Sequence, residues 1–217
     1  MTVVDKMEVK EFFPTPVWIV DLKPEAARAL NAQLVAEIER LISPRPAIQP
    51  GSNWQTDPIL HTLPAFAEFI AFVETAARGA LRFLRLDHMP VQVTGCWANI
   101  NPPGAYHPLH HHPNNYLSGV YYAKAGASTS PILFQDPRPQ ASIISPPHRE
   151  LTPLTVNASA VEARPGRLMI FPAWLKHTVP TNATGEDRIS ISFNLMFPQF
   201  TEQYAQPLWK GSAPTPR

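Results

Sequence analysis

The chain has 217 residues, and 18 Lys and Arg against 17 Asp and Glu leave a net charge of +1 with the histidines neutral. That length admits one large domain, residues 1–217, with a substantial core, and a charge so near zero argues against nucleic acid or an anionic membrane as partner and for a small-molecule or peptidyl substrate. Cys96 is the only cysteine, which excludes an internal disulfide, and with no apolar signal-like segment after Met1 a reducing cytoplasm is the expected compartment; no stretch approaches the ~20 apolar residues that span a bilayer.

The 26 prolines cannot donate to a sheet or helix ladder and so mark many short elements separated by fixed turns. After a short extended stretch from Val17 to Val20, Pro24 opens a segment with Ala27, Leu30, Leu34, Ile38 and Leu41 at helical spacing. A second amphipathic helix is predicted from near Pro64, with Thr62 as a cap and Phe66, Phe69, Ile70, Val73, Ala77, Leu81 and Leu84 on one broad stripe. From Val91 the texture changes to β-type runs: Val91 to Ile100, Leu117 to Ala123, Pro131 to Gln135, Arg167 to Phe171 and Arg188 to Phe197. Helices first and strands later predict an α+β, mainly β chain in which residues 1–90 give mainly helical support to a core at 91–198, followed by a tail at 199–217.

The last run alternates most strictly, with Ile189, Ile191, Phe193, Leu195 and Phe197 on one face and Arg188, Ser190, Ser192, Asn194 and Met196 on the other. The polar face has two readings. It either meets water, as in an ordinary half-buried strand, or lines a cavity where a guanidinium fork and a hydroxyl hold a carboxylate.

The strongest chemical signal is histidine. His110, His111 and His112 stand in a row before the Leu117 run, and His177 follows the stretch from Gly166 to Pro172. A neutral imidazole offers a nitrogen lone pair to a borderline metal ion, and alternate residues of an extended segment point the same way. His110 and His112 are therefore expected to grip one metal from one strand edge, with His177 closing the site from a neighbouring strand and His111 turned away. His107 is the rival ligand, though loop hydrogen bonding suits it better.

Taken in order, Trp97-Ala98-Asn99-Ile100, His110-His111-His112-Pro113, Leu117-Ser118-Gly119-Val120-Tyr121-Tyr122, Phe134-Gln135-Asp136-Pro137-Arg138, Gly166 to Pro172, His177 and Arg188 to Asn194 form a connected pattern, and Phe12-Phe13-Pro14-Thr15-Pro16-Val17-Trp18 extends it to the N-terminus. It resembles the 2-oxoglutarate- and Fe(II)-dependent oxygenases of bacteria and phages, within the double-stranded β-helix superfamily. The resemblance implies a jelly-roll sandwich with the N-terminal helices on its outer face, an iron held between the sheets by His110, His112 and His177, and 2-oxoglutarate and oxygen as cosubstrates. It implies hydroxylation of the substrate, with release of succinate and carbon dioxide. His112 stands where the superfamily's usual carboxylate ligand would be, and ligation by its imidazole is expected, the alternative being an open coordination position. Arg188 and Ser190 match the Arg-x-Ser that grips the distal carboxylate of 2-oxoglutarate, and Tyr122 is chosen over Tyr121 as a cosubstrate hydrogen-bond donor, with a core aromatic as the other reading. Asn99 and Asn194 are candidates to line the cavity or to satisfy local backbone.

Asp136, followed by proline after a strand, suits a turn better than a metal site. The connection from Pro137 to Ala160 is read as a lid over the substrate side, or as a proline-stiffened excursion at a subunit contact, which allows a homodimer. Trp54, Gln55 and Trp174 are rim candidates with no spacing argument to separate them from packing residues. Two alternatives stay open: a cupin-like three-histidine metalloenzyme that does not use 2-oxoglutarate, and a non-catalytic metal-binding sensor domain.

Overall fold

The computed structural model describes residues 3–126, 129–144 and 146–198; the expected tail at 199–217 lies outside the described residues. The elements run β1 (Trp18–Asp21), α1 (Pro24–Leu41), β2 (Trp54–Gln55), α2 (Ala67–Phe83), β3 (Gln92–Asn101), β4 (His107–His110), β5 (Leu117–Lys124), β6 (Ile132–Gln135), β7 (Ala158–Val161), β8 (Arg167–Pro172), β9 (His177–Val179) and β10 (Arg188–Met196). They form a six-stranded sheet in the order β1-β8-β5-β10-β3-β2 and a four-stranded sheet in the order β4-β9-β6-β7, every pairing antiparallel. This is the jelly-roll sandwich that the resemblance implies, with the two helices on the outer face of the larger sheet.

The helices sit there because of their stripes. Leu30, Leu34 and Ile38 of α1, and Phe69, Val73, Ala77 and Leu81 of α2, are buried in one cluster with Cys96, Ala98 and Ile100 of β3, Tyr121 of β5, and Ile189, Ile191, Phe193 and Leu195 of β10. Each leucine, isoleucine, valine or phenylalanine among them contributes about 1.5–3 kcal/mol on leaving water, the alanines less. Polar groups trapped in the layer are paired, as where the Tyr121 hydroxyl donates to Asn31 Oδ1 at 2.6 Å. At the turn into β8, Gly166 has φ +85°, and a Cβ there would meet the Ala27 Cβ at 2.6 Å, so glycine is what lets α1 lie close to the sheet.

Several local expectations are corrected. Leu41 is exposed, and Ile42, one residue past the helix, is buried in its place. A 3-10 turn, Pro64–Phe66, precedes α2, and the Thr62 hydroxyl donates back to the Ile59 carbonyl at 2.8 Å instead of capping the helix. The first ninety residues also supply two strands, β1 and β2, to opposite edges of the larger sheet. The connection read as a lid ends in a strand, β7, that pairs with β6.

Candidate metal and carboxylate site

Period-two alternation divides each central strand between two layers. While the apolar face of β10 packs on the helices, Arg188, Ser190 and Ser192 face inward, beside Asn99 and Trp97 of β3 and Val120 and Tyr122 of β5. With Ile132, Phe171 and Val179 these residues line a cavity of about 270 Å³ between the sheets. The first three residues of the polar face of β10 therefore line a cavity, with Arg188 and Ser190 buried in it.

Three histidines close the cavity. His110 is the last residue of β4 and lies opposite His177, the first of β9, which in turn pairs with Phe134 of β6. His112 is not on the strand edge as expected; it stands two residues beyond β4, where its backbone N–H donates to the Ala173 carbonyl at 2.9 Å. The turn still brings its ring in. One ring nitrogen from each of His110, His112 and His177 falls within 4.8 Å of the others. His111 is exposed, as predicted.

Hydrogen bonds set the tautomers of two of these rings. His110 Nδ1 lies 2.8 Å from the Pro108 carbonyl and His177 Nδ1 lies 2.9 Å from the Leu175 carbonyl. A carbonyl only accepts, so Nδ1 carries the proton in both, and each Nε2 keeps its lone pair. Backbone carbonyls in this position orient metal-ligating imidazoles. Burial favours the neutral form of two of them, pushing His177 down to about 3 and His112 down to about 4, with the neighbouring histidines adding to the effect on each. Phe171 and Phe134 flank His177 at ring-centroid distances of 4.8 and 5.9 Å, and Trp97 lies 5.9 Å from His112. Three converging imidazoles, His177 buried and His110 and His112 half-buried, fit a divalent first-row metal.

Deeper in the cavity stands Arg188, only 2% exposed, with no hydrogen bond to Nε or Nη1 and no ion pair among the described residues. An unpaired buried guanidinium costs several kcal/mol unless an anion meets it. Ser190 follows it on the same face with Tyr122 opposite, and burial raises that phenol to about 12, so its hydroxyl stays protonated and able to donate. The unpartnered Arg188 nitrogens, with the Ser190 and Tyr122 hydroxyls on the same lining, fit a carboxylate.

Other candidates separate cleanly. Tyr121 points into the helix layer and Tyr122 into the cavity. Asn99 lines the cavity while its Oδ1 accepts from Asn53 at 3.0 Å; Asn194 is not on the lining and accepts the Ser118 hydroxyl at 2.8 Å. His107 lines the cavity outside the histidine trio, its Nε2 2.7 Å from Asn101 Oδ1. Asp136 accepts from the backbone and side chain of Arg138, the turn expected of it, and lies outside the trio. Gln55 reaches the lining, whereas Trp54 donates to the Pro46 carbonyl beneath Arg45 and Trp174 is exposed beside a separate surface cleft. Trp97 and Ser192 line the cavity but were not singled out from the sequence for this site, although Trp97 and Asn99 alternate on one strand and that spacing was the available signal.

Comparison with known proteins agrees with this geometry. Residues 95–194 match the family model described as putative 2OG-Fe(II) oxygenase. No curated protein matches. Among solved structures, the chain is similar to the non-heme alpha ketoglutarate dependent epimerase SnoN from nogalamycin biosynthesis (14% identity, 84% of this chain and 79% of that one, TM-score 0.62). It is also similar to a Pseudomonas putida prolyl-4-hydroxylase (17%, 84% and 93%, 0.57) and to HygX from Streptomyces hygroscopicus with nickel and 2-oxoglutarate bound (13%, 85% and 83%, 0.59). At these identities the structural likeness shows the fold.

Proposed function

Since this chain belongs to the 2OG-Fe(II) oxygenase family, we propose that its histidine trio holds Fe(II), that Arg188 and Ser190 hold the distal carboxylate of 2-oxoglutarate, and that the enzyme hydroxylates a small-molecule or peptidyl substrate. Bound iron and 2-oxoglutarate supply, with oxygen, an oxidation of a substrate C–H bond that is balanced by conversion of 2-oxoglutarate to succinate and carbon dioxide.

The protein's own residues supply position and dryness. His110 and His177 present Nε2 because their Nδ1–H groups are tied to backbone carbonyls. His112 takes the third place, and all three ligands being neutral leaves the metal's charge to be offset by the dianionic cosubstrate. Arg188 and Ser190 anchor the far end of that cosubstrate, the Tyr122 hydroxyl donates to it, and Asn99 completes the polar wall. Val120, Ile132, Phe171 and Val179 keep water from the reacting centre. Residues 1–217 are read as one such unit, the helices of its first ninety residues bracing the larger sheet.

One observation carries this reading: a guanidinium 2% exposed and without a counter-ion among the described residues, lining the same cavity as the three histidines. A three-histidine enzyme that did not bind a dicarboxylate would have no use for it. The substrate class follows the similar structures only loosely, since SnoN was crystallised with nogalamycin RO and HygX with hygromycin B, while the Pseudomonas putida relative is a prolyl hydroxylase. No helix of the described residues is long and apolar enough to cross a membrane.

Purified, iron-loaded protein supplied with 2-oxoglutarate and fractions of a metabolite pool tests the reading. Succinate release that rises with one fraction, and is lost in Arg188→Ala, is the expected result. Binding of both iron and 2-oxoglutarate with no turnover in any fraction would favour the sensor domain.

A further inference from the structure

Among the described residues no aspartate or glutamate lines the cavity. Asp187, next to Arg188 in the chain, is bonded to Arg45 at 2.7 Å. His112, standing where a carboxylate ligand is usual, brings an imidazole, which ligates as a neutral group. A divalent ion on the trio and the Arg188 guanidinium therefore bring three positive charges, of which the dianionic cosubstrate offsets two. One positive charge is left over in a cavity walled in part by Val120, Ile132 and Phe171, where an uncompensated charge is costly.

The wall that meets this surplus is neutral and rich in donors. Arg188, Ser190, Tyr122 and Asn99 are buried, whereas Gln55 is exposed and Trp97 and Ser192 are half-buried, so this is a side on which the cavity reaches solvent. Trp97 and Ser192 are register partners, and the Trp97 ring lies 5.9 Å from that of His112. A chain of amides directs the Ser192 hydroxyl. The Trp54 carbonyl accepts from Asn53 Nδ2 at 3.2 Å, which fixes that atom as a nitrogen, and the same nitrogen donates to Asn99 Oδ1 at 3.0 Å. Asn99 is thereby turned with its NH₂ toward Ser192 Oγ, at the long distance of 3.5 Å, and a serine oxygen that faces a donor points its own proton elsewhere.

We propose that the substrate is a carboxylate, seated on the wall of Gln55, Trp97 and Ser192 with the Ser192 hydroxyl donating to it and the Trp97 ring beside it. Asn53 and Asn99 are positioning residues that act through Ser192. One residual positive charge and a wall of neutral donors match a monoanion; a phosphate dianion would ask for a second cation, and the wall has none. A neutral substrate would leave the surplus charge buried and unmet. This narrows the substrate class of the function proposed above, and it rests on the assignment of the trio to Fe(II) and of Arg188 to 2-oxoglutarate.

The test uses anaerobic, iron-loaded protein saturated with 2-oxoglutarate, titrated with acetate and, separately, with its neutral isostere acetamide, while the visible band of the bound cosubstrate is followed. Acetate should shift the band saturably and bind about tenfold or more tighter than acetamide. Ser192→Ala should cut that preference about tenfold, the loss of one hydrogen bond to a charged group, and leave acetamide binding unchanged. Asn53→Leu, which spares the wall itself, should lower the preference in the same direction. His112→Asp, which removes the surplus charge, should abolish the preference while the band persists. Equal affinities for the two probes, no saturable shift with acetate, or loss of the band as acetate displaces the cosubstrate would each overturn the proposal; a preference kept intact in Ser192→Ala would remove this wall as its seat. A wild type with no band before any probe is added would instead overturn the assignment of the trio and Arg188.

Discussion

On one side of β10, Ile189, Ile191, Phe193 and Leu195 pack against α1 and α2, and the polar groups caught there, such as Tyr121 and Asn31, satisfy each other. On the other side, one residue out of phase, Arg188 and Ser190 face a cavity, and two guanidinium nitrogens have no partner among the described residues. The helix layer minimises the energy of the chain alone. The cavity layer does not, and unpaired donors of this kind are the mark of a site completed by a ligand. A single strand serves both because its side chains alternate, so substitutions one residue apart should have effects of different kinds.

The largest effect on stability should come from the helix side. Phe193→Ala removes a fully buried ring from the main core and should cost about 3–5 kcal/mol, read from the urea midpoint of the metal-free protein. A loss below about 1 kcal/mol would mean that the helices are not packed on this face.

On the cavity side, His177→Ala should lower iron affinity by on the order of a hundredfold or more while leaving the urea midpoint of the metal-free protein nearly unchanged. Equilibrium dialysis under anaerobic conditions reads it, and full retention would remove His177 from the ligand set. His112→Asp sharpens the point, since a carboxylate at a true ligand position keeps iron bound.

Arg188→Met should separate the layers most clearly. Replacing a buried unpaired charge with an apolar side chain of similar length should stabilise the ligand-free protein, by about 1–2 kcal/mol, while 2-oxoglutarate binding is lost. A clear destabilisation in chemical denaturation would show that Arg188 has a structural partner after all.

Acid gives a smaller, graded effect. His177 at about 3, and His112 and His107 at about 4, lie below the ordinary 6.5, burial being the first cause for each. Between those values and 6.5 the unfolded chain binds more protons than the folded one, so stability rises with pH across that window. The metal-free protein should therefore be fully stable above about pH 6.5 and weaken as pH falls toward 4 and below. Substituting these histidines should flatten the slope; a wild-type curve that is level from pH 7 to 4 would show the rings to be charged when folded.

The parts of this arrangement legible in the sequence were those with a strong local period. β3, β5, β6, β8 and β10 appear within a residue or two of the apolar runs, and both helices follow their stripes. The short strands β2, β4, β7 and β9 carry little apolar periodicity, as in His107-Pro108-Leu109-His110, and exist because a neighbouring strand offers a ladder. The same limit applied to the site. His110, His112, His177 and Arg188 announce themselves by residue type and by resemblance. Whether the polar face of β10 meets water could not be decided from β10 alone, because three of the four strands of the sheet opposite it, β4, β7 and β9, are such short strands. Asn101 and His107 were invisible as a pair, since their contact crosses between sheets and depends on register.

The central claim is that the unpaired Arg188 and the histidine trio are two ends of one binding site. Anaerobic titration of the iron-loaded protein with 2-oxoglutarate, followed by visible absorbance, tests it most directly, because the band requires the cosubstrate's keto group to reach the metal. The account predicts a saturable band in wild type and a much weaker affinity in Arg188→Ala, with Lys at that position restoring only part of it. Absence of a band in wild type, with iron bound and no heat on adding 2-oxoglutarate, would contradict the account and leave the three-histidine enzyme without 2-oxoglutarate as the better reading.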